Sequence, residues 1–287
     1  MNIKMSNNIG VLYLTCNSFS ELWCPFFELY EKYIDIGNTI YLCTDIPITK
    51  NNIVINIITS NTKIQPLIYG QLSDISQNGN LYDRLLYYLD HINETTIFFF
   101  IDDMYPSSRL DKKYFEEIYN VLKQTKDVQI IKVTTLSQRG KYANECILNG
   151  ISFLKNNNHK DDYIFNSQPC LIKKNFFIEY LTYCRNNYKK LKIKHLNGGL
   201  EIIAKSFFHA YPHNVVLRVQ NTLFTIYGGS HGICVSGYIS DKIIQELQQK
   251  ENLHLNLYNN CIMEITQNEL ERFGTHNIIE LNKRISF

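Results

Sequence analysis

The chain's 287 residues, 45% of them hydrophobic and 20% charged, can bury a sizeable core without covalent staples. A formal net charge of +2 supplies no field that would select nucleic acid, and no apolar run reaches the roughly 18 to 20 residues of a membrane-spanning helix. Eight scattered cysteines without a CxxC pair fit reduced thiols in a cytoplasmic protein rather than a disulfide framework or a zinc site, and the polar stretch Met1 to Asn8 leads us to expect no secretion.

Ile9 to Leu14 reads as a first strand, Phe19 to Ile34 as an amphipathic helix and Thr39 to Cys43 as a second strand, a β-α-β opening. Small polar residues follow both strands, Thr15-Cys16-Asn17-Ser18 after the first and Thr44-Asp45 after the second. Strand exits on one edge of an α/β sheet are where a ribose or base sits, so Thr15, Cys16, Asn17 and Asp45 are candidate nucleotide contacts. Ile53 to Ile58 is a candidate third strand, and Thr59 to Gly79 has no clear pattern. Leu81, Leu85, Leu86 and Leu89 recur at helical spacing across Leu81 to His91. That helix carries Arg84, a candidate phosphate contact or an ion-pair partner of Asp83 or Asp45.

Thr96-Ile97-Phe98-Phe99-Phe100-Ile101 then runs into Asp102-Asp103-Met104. An unbroken aromatic and β-branched run suits a strand covered on both faces, and it delivers two adjacent carboxylates to its exit. Leu110 to Lys123 reads as a helix with Asp111 near its start and Val128 to Thr134 as a strand, so residues 9 to 134 alternate β and α. Tyr142 to Lys160 is ambiguous and ends in the loop Asn156-Asn157-Asn158-His159. Tyr163 to Ile172 looks extended, and Asn175 to Tyr188 and Leu200 to Phe208 look helical. Val215 to Tyr227 is a candidate strand pair around Gln220-Asn221. Gly228-Gly229-Ser230-His231-Gly232 is a turn by composition, and Ser240 to Lys250 a closing helix capped by Ser240 or Asp241.

Two contiguous carboxylates at the end of a buried strand repel each other unless a cation, donors or water compensates. A divalent cation does so best, and oxygen-only ligands favour Mg²⁺ or Mn²⁺, which bind one or two carboxylates together with substrate phosphates. The same residues would also serve merely to open a loop, and spacing alone leaves both readings standing.

Several segments in order resemble GT-A-type nucleotide-sugar glycosyltransferases of the kind found in surface-glycan clusters of bacteria and large DNA viruses. They are Gly10 to Phe19 with Leu22-Trp23 and Pro25-Phe26-Phe27, Asn80 to Leu85 followed by Ile101-Asp102-Asp103, Ser167 to Lys174, Asn197-Gly198-Gly199-Leu200-Glu201, and Tyr227 to Gly232 with Ser236-Gly237. The resemblance implies an α/β fold with a GT-A-like, Rossmann-type nucleotide-binding sheet flanked by helices. Residues 1–287 would form one catalytic domain, with 9–134 holding the nucleotide sugar and 135–287 the acceptor. It implies transfer of a sugar from a nucleotide-diphosphate donor, a UDP-sugar first, to an oligosaccharide or other glycan acceptor, assisted by Mn²⁺ or Mg²⁺.

Carried over residue by residue, the resemblance makes Asp103 the metal ligand, with Asp102 on ribose or a metal-bound water. His231 joins the metal shell or touches the diphosphate, Gln168 binds the acceptor, and Glu201 is the base that deprotonates the acceptor hydroxyl. Direct displacement with inversion follows if Glu201 is that base. The sequence departs from the commoner pattern in two places. Asp102 and Asp103 are contiguous, so strand alternation would put them on different faces, and the tryptophan that often opens the helix near Leu81 is absent. Trp23 reads as core rather than as a sugar platform. The alternatives are a nucleotidyltransferase, which lacks its glycine-rich loop here, and a non-catalytic carbohydrate-binding protein.

Overall fold

The computed structural model describes residues 8–44, 61–69, 80–134, 144–155, 164–165, 168–190, 199–228, 233–235, 238–239 and 241–253. The first strand, β1 (Ile9–Leu14), leads through a 3₁₀ segment (Asn17–Leu22) into α1 (Trp23–Tyr33) and β2 (Ile40–Thr44). The helix expected over Phe19 to Ile34 is therefore two pieces. Pro25 explains the break, because a residue without an N–H is tolerated only in a helix's first turn, so regular helix cannot begin much before Trp23.

Next come β3 (Ile64–Ile68), α2 (Leu81–His91), β4 (Thr96–Ile101), α3 (Lys112–Gln124) and β5 (Val128–Lys132). The expected strand at Ile53 to Ile58 lies outside the described residues. Strand β3 falls in the stretch without a clear pattern and contains Pro66, which is tolerated because β3 ends the sheet among the described residues. Side chains cap both helices: Asn80 Oδ1 accepts from Asp83 N at 2.9 Å, and Asp111 Oδ1 from Tyr114 N at 3.0 Å.

The ambiguous stretch beginning at Tyr142 contains a hairpin, β6 (Asn144–Leu148) and β7 (Ile151–Lys155). Its turn is Asn149-Gly150, both left-handed at φ 51° and 79°, the conformation that Asn-Gly favours in two-residue hairpins. Then follow β8 (Cys170–Lys173), α4 (Lys174–Asn187), α5 (Gly199–Ala210), β9 (Val215–Val219), the two-residue strands β10 (Cys234–Val235) and β11 (Tyr238–Ile239), and α6 (Asp241–Glu251). The strand pair expected over Val215 to Tyr227 is one strand, β9. The residues after β9 leave the sheet, and Thr225 to Tyr227 pair with the segment after the acidic residues, through a bridge Pro106↔Ile226 and bonds Ser107 N to Thr225 O and Tyr227 N to Tyr105 O.

Among the described residues nine strands form one sheet in the order β3-β2-β1-β4-β8-β5-β9-β7-β6. Strands β3, β2, β1 and β4 are mutually parallel, β8 runs against both β4 and β5, and β9 is parallel to β5. Helices cover both faces. Residues of α1, α3 and α6 pack with Tyr13, Phe98 and Phe100 in one core, while α2, α4 and α5 pack with Leu12, Ile97 and Phe99 in the other. The β4 run alternates between the two cores, and burying each such aromatic contributes roughly 1.5–3 kcal/mol. This is the mixed α/β sheet flanked by helices that the sequence led us to expect.

Candidate active site

The chain leaves β1 toward β2 and β3 on one side, then returns to β4 on the other. In open α/β sheets the crevice at the carboxyl ends of two such strands is where ligands bind. The parallel register ends at Leu14↔Ile101, so Thr15 and Asp102 emerge side by side. The Thr15 hydroxyl lies 3.4 Å from Asp102 Oδ2 and receives a 2.9 Å hydrogen bond from Trp23 Nε1. Trp23 is fully buried, as a core residue should be, yet its indole N–H also holds the hydroxyl that faces the acid. Tyr13 OH reaches the Asp102 carbonyl at 3.4 Å, and Thr15 N bonds Cys43 O of β2.

The strand stops at Ile101, and Met104 N bonds Ile101 O at 3.1 Å, so both aspartates occupy a turn. Strand alternation therefore does not separate them, contrary to the expectation from contiguity. Each residue keeps part of its surface open, but Asp103 Oδ1 is out of solvent and has no hydrogen-bond partner among the described residues. Burial raises the Asp102 carboxyl to about 6, a rise the Thr15 hydroxyl opposes. Burial, then the charge of Asp102, pushes Asp103 well above the usual carboxylate range.

Two half-buried carboxylates with one partnerless oxygen are short of positive charge. Among the described residues no cluster of three or more His, Cys, Asp or Glu exists. That donor set fits Mg²⁺ or Mn²⁺, which take few protein carboxylates and complete their shell with water and phosphate oxygens.

A ribbon flanks the pair. Ile233 N bonds Asp103 O at 2.8 Å, Tyr227 N bonds Tyr105 O at 2.9 Å, and Asp111 N bonds Leu223 O at 3.3 Å. The ribbon is fastened at Tyr227 by Glu251 in α6, whose carboxylate accepts from Lys32 Nζ at 2.6 Å, from Tyr33 OH at 2.7 Å and from the Tyr227 hydroxyl.

Of the other expected residues, Asp45 and His231 lie outside the described residues. Cys16 is half-buried after β1, and Asn17 opens the 3₁₀ segment. Arg84 lies in the first half of α2, where its charge acts on Tyr69 just past β3, while Asp83 faces Arg185 at 3.7 Å. Glu201 sits half-buried in the first turn of α5, on the sheet face opposite Trp23, and its charge reaches Tyr180. Gln168 is 4% exposed just before β8, and its Oε1 has no partner among the described residues.

Sequence reasoning missed Thr134, fully buried just past β5 with a partnerless Oγ1, and the buried cations Lys132 and Arg218 on neighbouring strands. The available signal was a lysine and an arginine inside otherwise apolar strands, since such side chains are seldom fully buried without a reason.

No protein-family model and no curated protein matches the sequence. Solved structures do match. S. aureus TarS 1-349 is 8% identical with a TM-score of 0.45, over 76% of this chain and 59% of that one. Its complex with UDP-GlcNAc gives 11% and 0.46 over 76% and 57%, and its complex with UDP 10% and 0.47 over 98% and 72%. The chain thus spans less than two thirds of two of these three structures, and at such TM-scores the functional reading rests on the site's own geometry.

Proposed function

We propose that the protein is a metal-assisted glycosyltransferase that moves a sugar from a nucleoside-diphosphate donor to a hydroxyl of a glycan acceptor. The observation that carries the reading is the acidic turn at the β1/β4 crevice, with Asp102 held by Thr15 and Asp103 Oδ1 lacking a partner. A divalent cation bound together with a nucleoside diphosphate would supply the positive charge that the two carboxylates and the diphosphate lack. Asp103 holds the cation with Asp102 beside it, and when bound the cation neutralises the departing diphosphate. Thr15, Cys16 and Asn17 at the β1 exit lie against the nucleoside, and Arg84 adds a cation for phosphate. The sequence resemblance favours uridine.

Transfer breaks the bond between the anomeric carbon and the diphosphate oxygen and forms one to the acceptor oxygen. The acceptor hydroxyl's proton must leave, and Glu201, in a helix turn after two glycines, is the group we assign to take it. Direct attack from the opposite face inverts the anomeric centre. His231 completes the cation's surroundings, Asp45 the nucleoside's, and Gln168 meets the acceptor.

The test is a panel of UDP-, GDP- and dTDP-sugars incubated with the protein and Mn²⁺, read by release of nucleoside diphosphate. Release from at least one donor, abolished by EDTA, is expected. No release and no binding of any nucleoside diphosphate would sink the reading.

A further inference from the structure

We propose that Glu251, in the last turn of α6, is a positioning residue for the acidic turn: its carboxylate locks the ribbon that holds Asp103 and thereby sets the turn's affinity for a cation and a diphosphate. The residues that follow the turn are held from two sides. On one side is α1, where the Tyr105 hydroxyl bonds Leu22 O, one residue before the Trp23 that holds Thr15, and Leu110 N bonds Tyr33 O at 2.8 Å. On the other is the ribbon, with Ile233 N on Asp103 O at 2.8 Å, Tyr227 N on Tyr105 O at 2.9 Å and Ser107 N on Thr225 O at 2.8 Å. Glu251 joins the two sides, because one carboxylate oxygen takes Lys32 Nζ of α1 and the other takes both the Tyr33 and the Tyr227 hydroxyls. The path from Glu251 to the acid therefore runs through the Tyr227 hydroxyl and amide to Tyr105, two residues from Asp103.

A group that only fastened α6 need not be a carboxylate. The Glu251 side chain is 2% exposed, whereas that of Lys32, which neutralises it, is 49% exposed. Taking a carboxylate out of water is costlier than packing an apolar side chain of the same volume, so such a pair is a poor device for stability, and what it supplies here is a fixed geometry. Burial raises the Glu251 carboxyl, but the hydrogen bonds from Lys32, Tyr227 and Tyr33 outweigh it and hold the group below its ordinary value, so it stays charged. A charged acceptor holds a hydroxyl more tightly than a neutral one. Tyr227 is itself buried, so little water reaches it when the carboxylate is removed.

The role rests on the glycosyltransferase reading for its ligand, a nucleoside diphosphate with Mn²⁺, and the test separates the two. It uses wild type, Glu251→Gln, Tyr227→Phe, the double variant and Lys250→Ala, which removes an exposed α6 cation paired with Glu246. Calorimetry measures the binding of UDP with Mn²⁺ and of Mn²⁺ alone. Amide hydrogen exchange follows the Tyr227 and Ile233 N–H groups, with the central amides of β1 as reference. Glu251→Gln and Tyr227→Phe should each weaken the binding of UDP with Mn²⁺ by about threefold to thirtyfold and speed exchange at Tyr227 and Ile233 by about tenfold, with β1 unchanged. The double variant should lose no more than about twofold beyond either single one, since both act through one hydrogen bond. Lys250→Ala should match wild type in both measurements. Tyr227→Phe removes a single hydroxyl and decides the matter alone if Glu251→Gln fails to fold.

A lowered melting temperature with unchanged binding and exchange would mean that Glu251 only holds α6, and faster exchange with unchanged binding would mean that the ribbon does not position the turn. Either result overturns the proposal. If wild type binds Mn²⁺ but no nucleoside diphosphate, the glycosyltransferase reading fails. Mn²⁺ affinity that drops in both variants then keeps the positioning role, and equal affinity overturns it. No binding of either by wild type overturns both.

Discussion

At Asp103 the fold buries a carboxylate oxygen that no described group satisfies, next to an Asp102 whose own carboxyl titrates near 6. An acid whose folded pKa lies above its unfolded value of about 3.8 binds more protons when folded, so it favours the fold at low pH. That contribution is lost as pH rises through about 6. In metal-free protein Asp102→Asn should therefore match wild type near pH 4 and exceed it by on the order of 3 kcal/mol at pH 7, measured by urea unfolding. A difference that is flat with pH contradicts the burial. Threonine at two strand exits gives a second comparison. Thr15→Val leaves the buried Trp23 N–H without its acceptor and should destabilise by about 1–3 kcal/mol, whereas Thr134→Val removes a partnerless oxygen and should leave the protein as stable or more so. Shifts of the same sign at both sites would refute the distinction. The acidic pair was legible in the sequence because charge follows abruptly on an apolar run. The roles of Thr15 and Trp23 were not, since one bond between residues eight apart joins the end of a strand to a helix.

Elements with local chemistry were legible and elements set by distant partners were not. Strand β1 and helix α2 have the bounds the sequence implies, since an unbroken apolar run, helical spacing and the Asn80 cap are all local. Pro25 could have fixed the start of α1, and Asn149-Gly150 could have marked the hairpin, because each carries its own backbone constraint. Strand β3 and the ribbon from Leu223 to Tyr227 depend on neighbours remote in sequence, so no window of residues announces them. Gly150 offers a clean test of the turn. A Cβ there meets nothing within 4 Å, so Gly150→Ala adds only the cost of a left-handed alanine at φ +79°, about 1–2 kcal/mol in urea unfolding. An unchanged midpoint would mean that the turn has another conformation.

For the whole molecule, the strand order places the chemistry. Reversal of the strand order between the parallel β1 and β4 opens the crevice, the antiparallel β8 carries its amino end, with Gln168, to the same edge, and the ribbon beginning at Asp111 reaches back to Asp103. Glu251 ties that ribbon to α1 and α6 through Lys32, Tyr33 and Tyr227. The sequence implied the alternating β/α class but not this order, because pairing between strands is decided by contacts that span most of the chain. No described helix is long and apolar enough to cross a membrane. The central claim is that the acidic turn binds a nucleoside diphosphate through a divalent cation. Calorimetric titration of UDP with Mn²⁺ into wild type and Asp103→Asn tests it most directly. Binding in wild type that falls at least a hundredfold with EDTA or in the variant is the predicted result. UDP binding that ignores both the metal and Asp103, or no nucleoside-diphosphate binding at all, would contradict it.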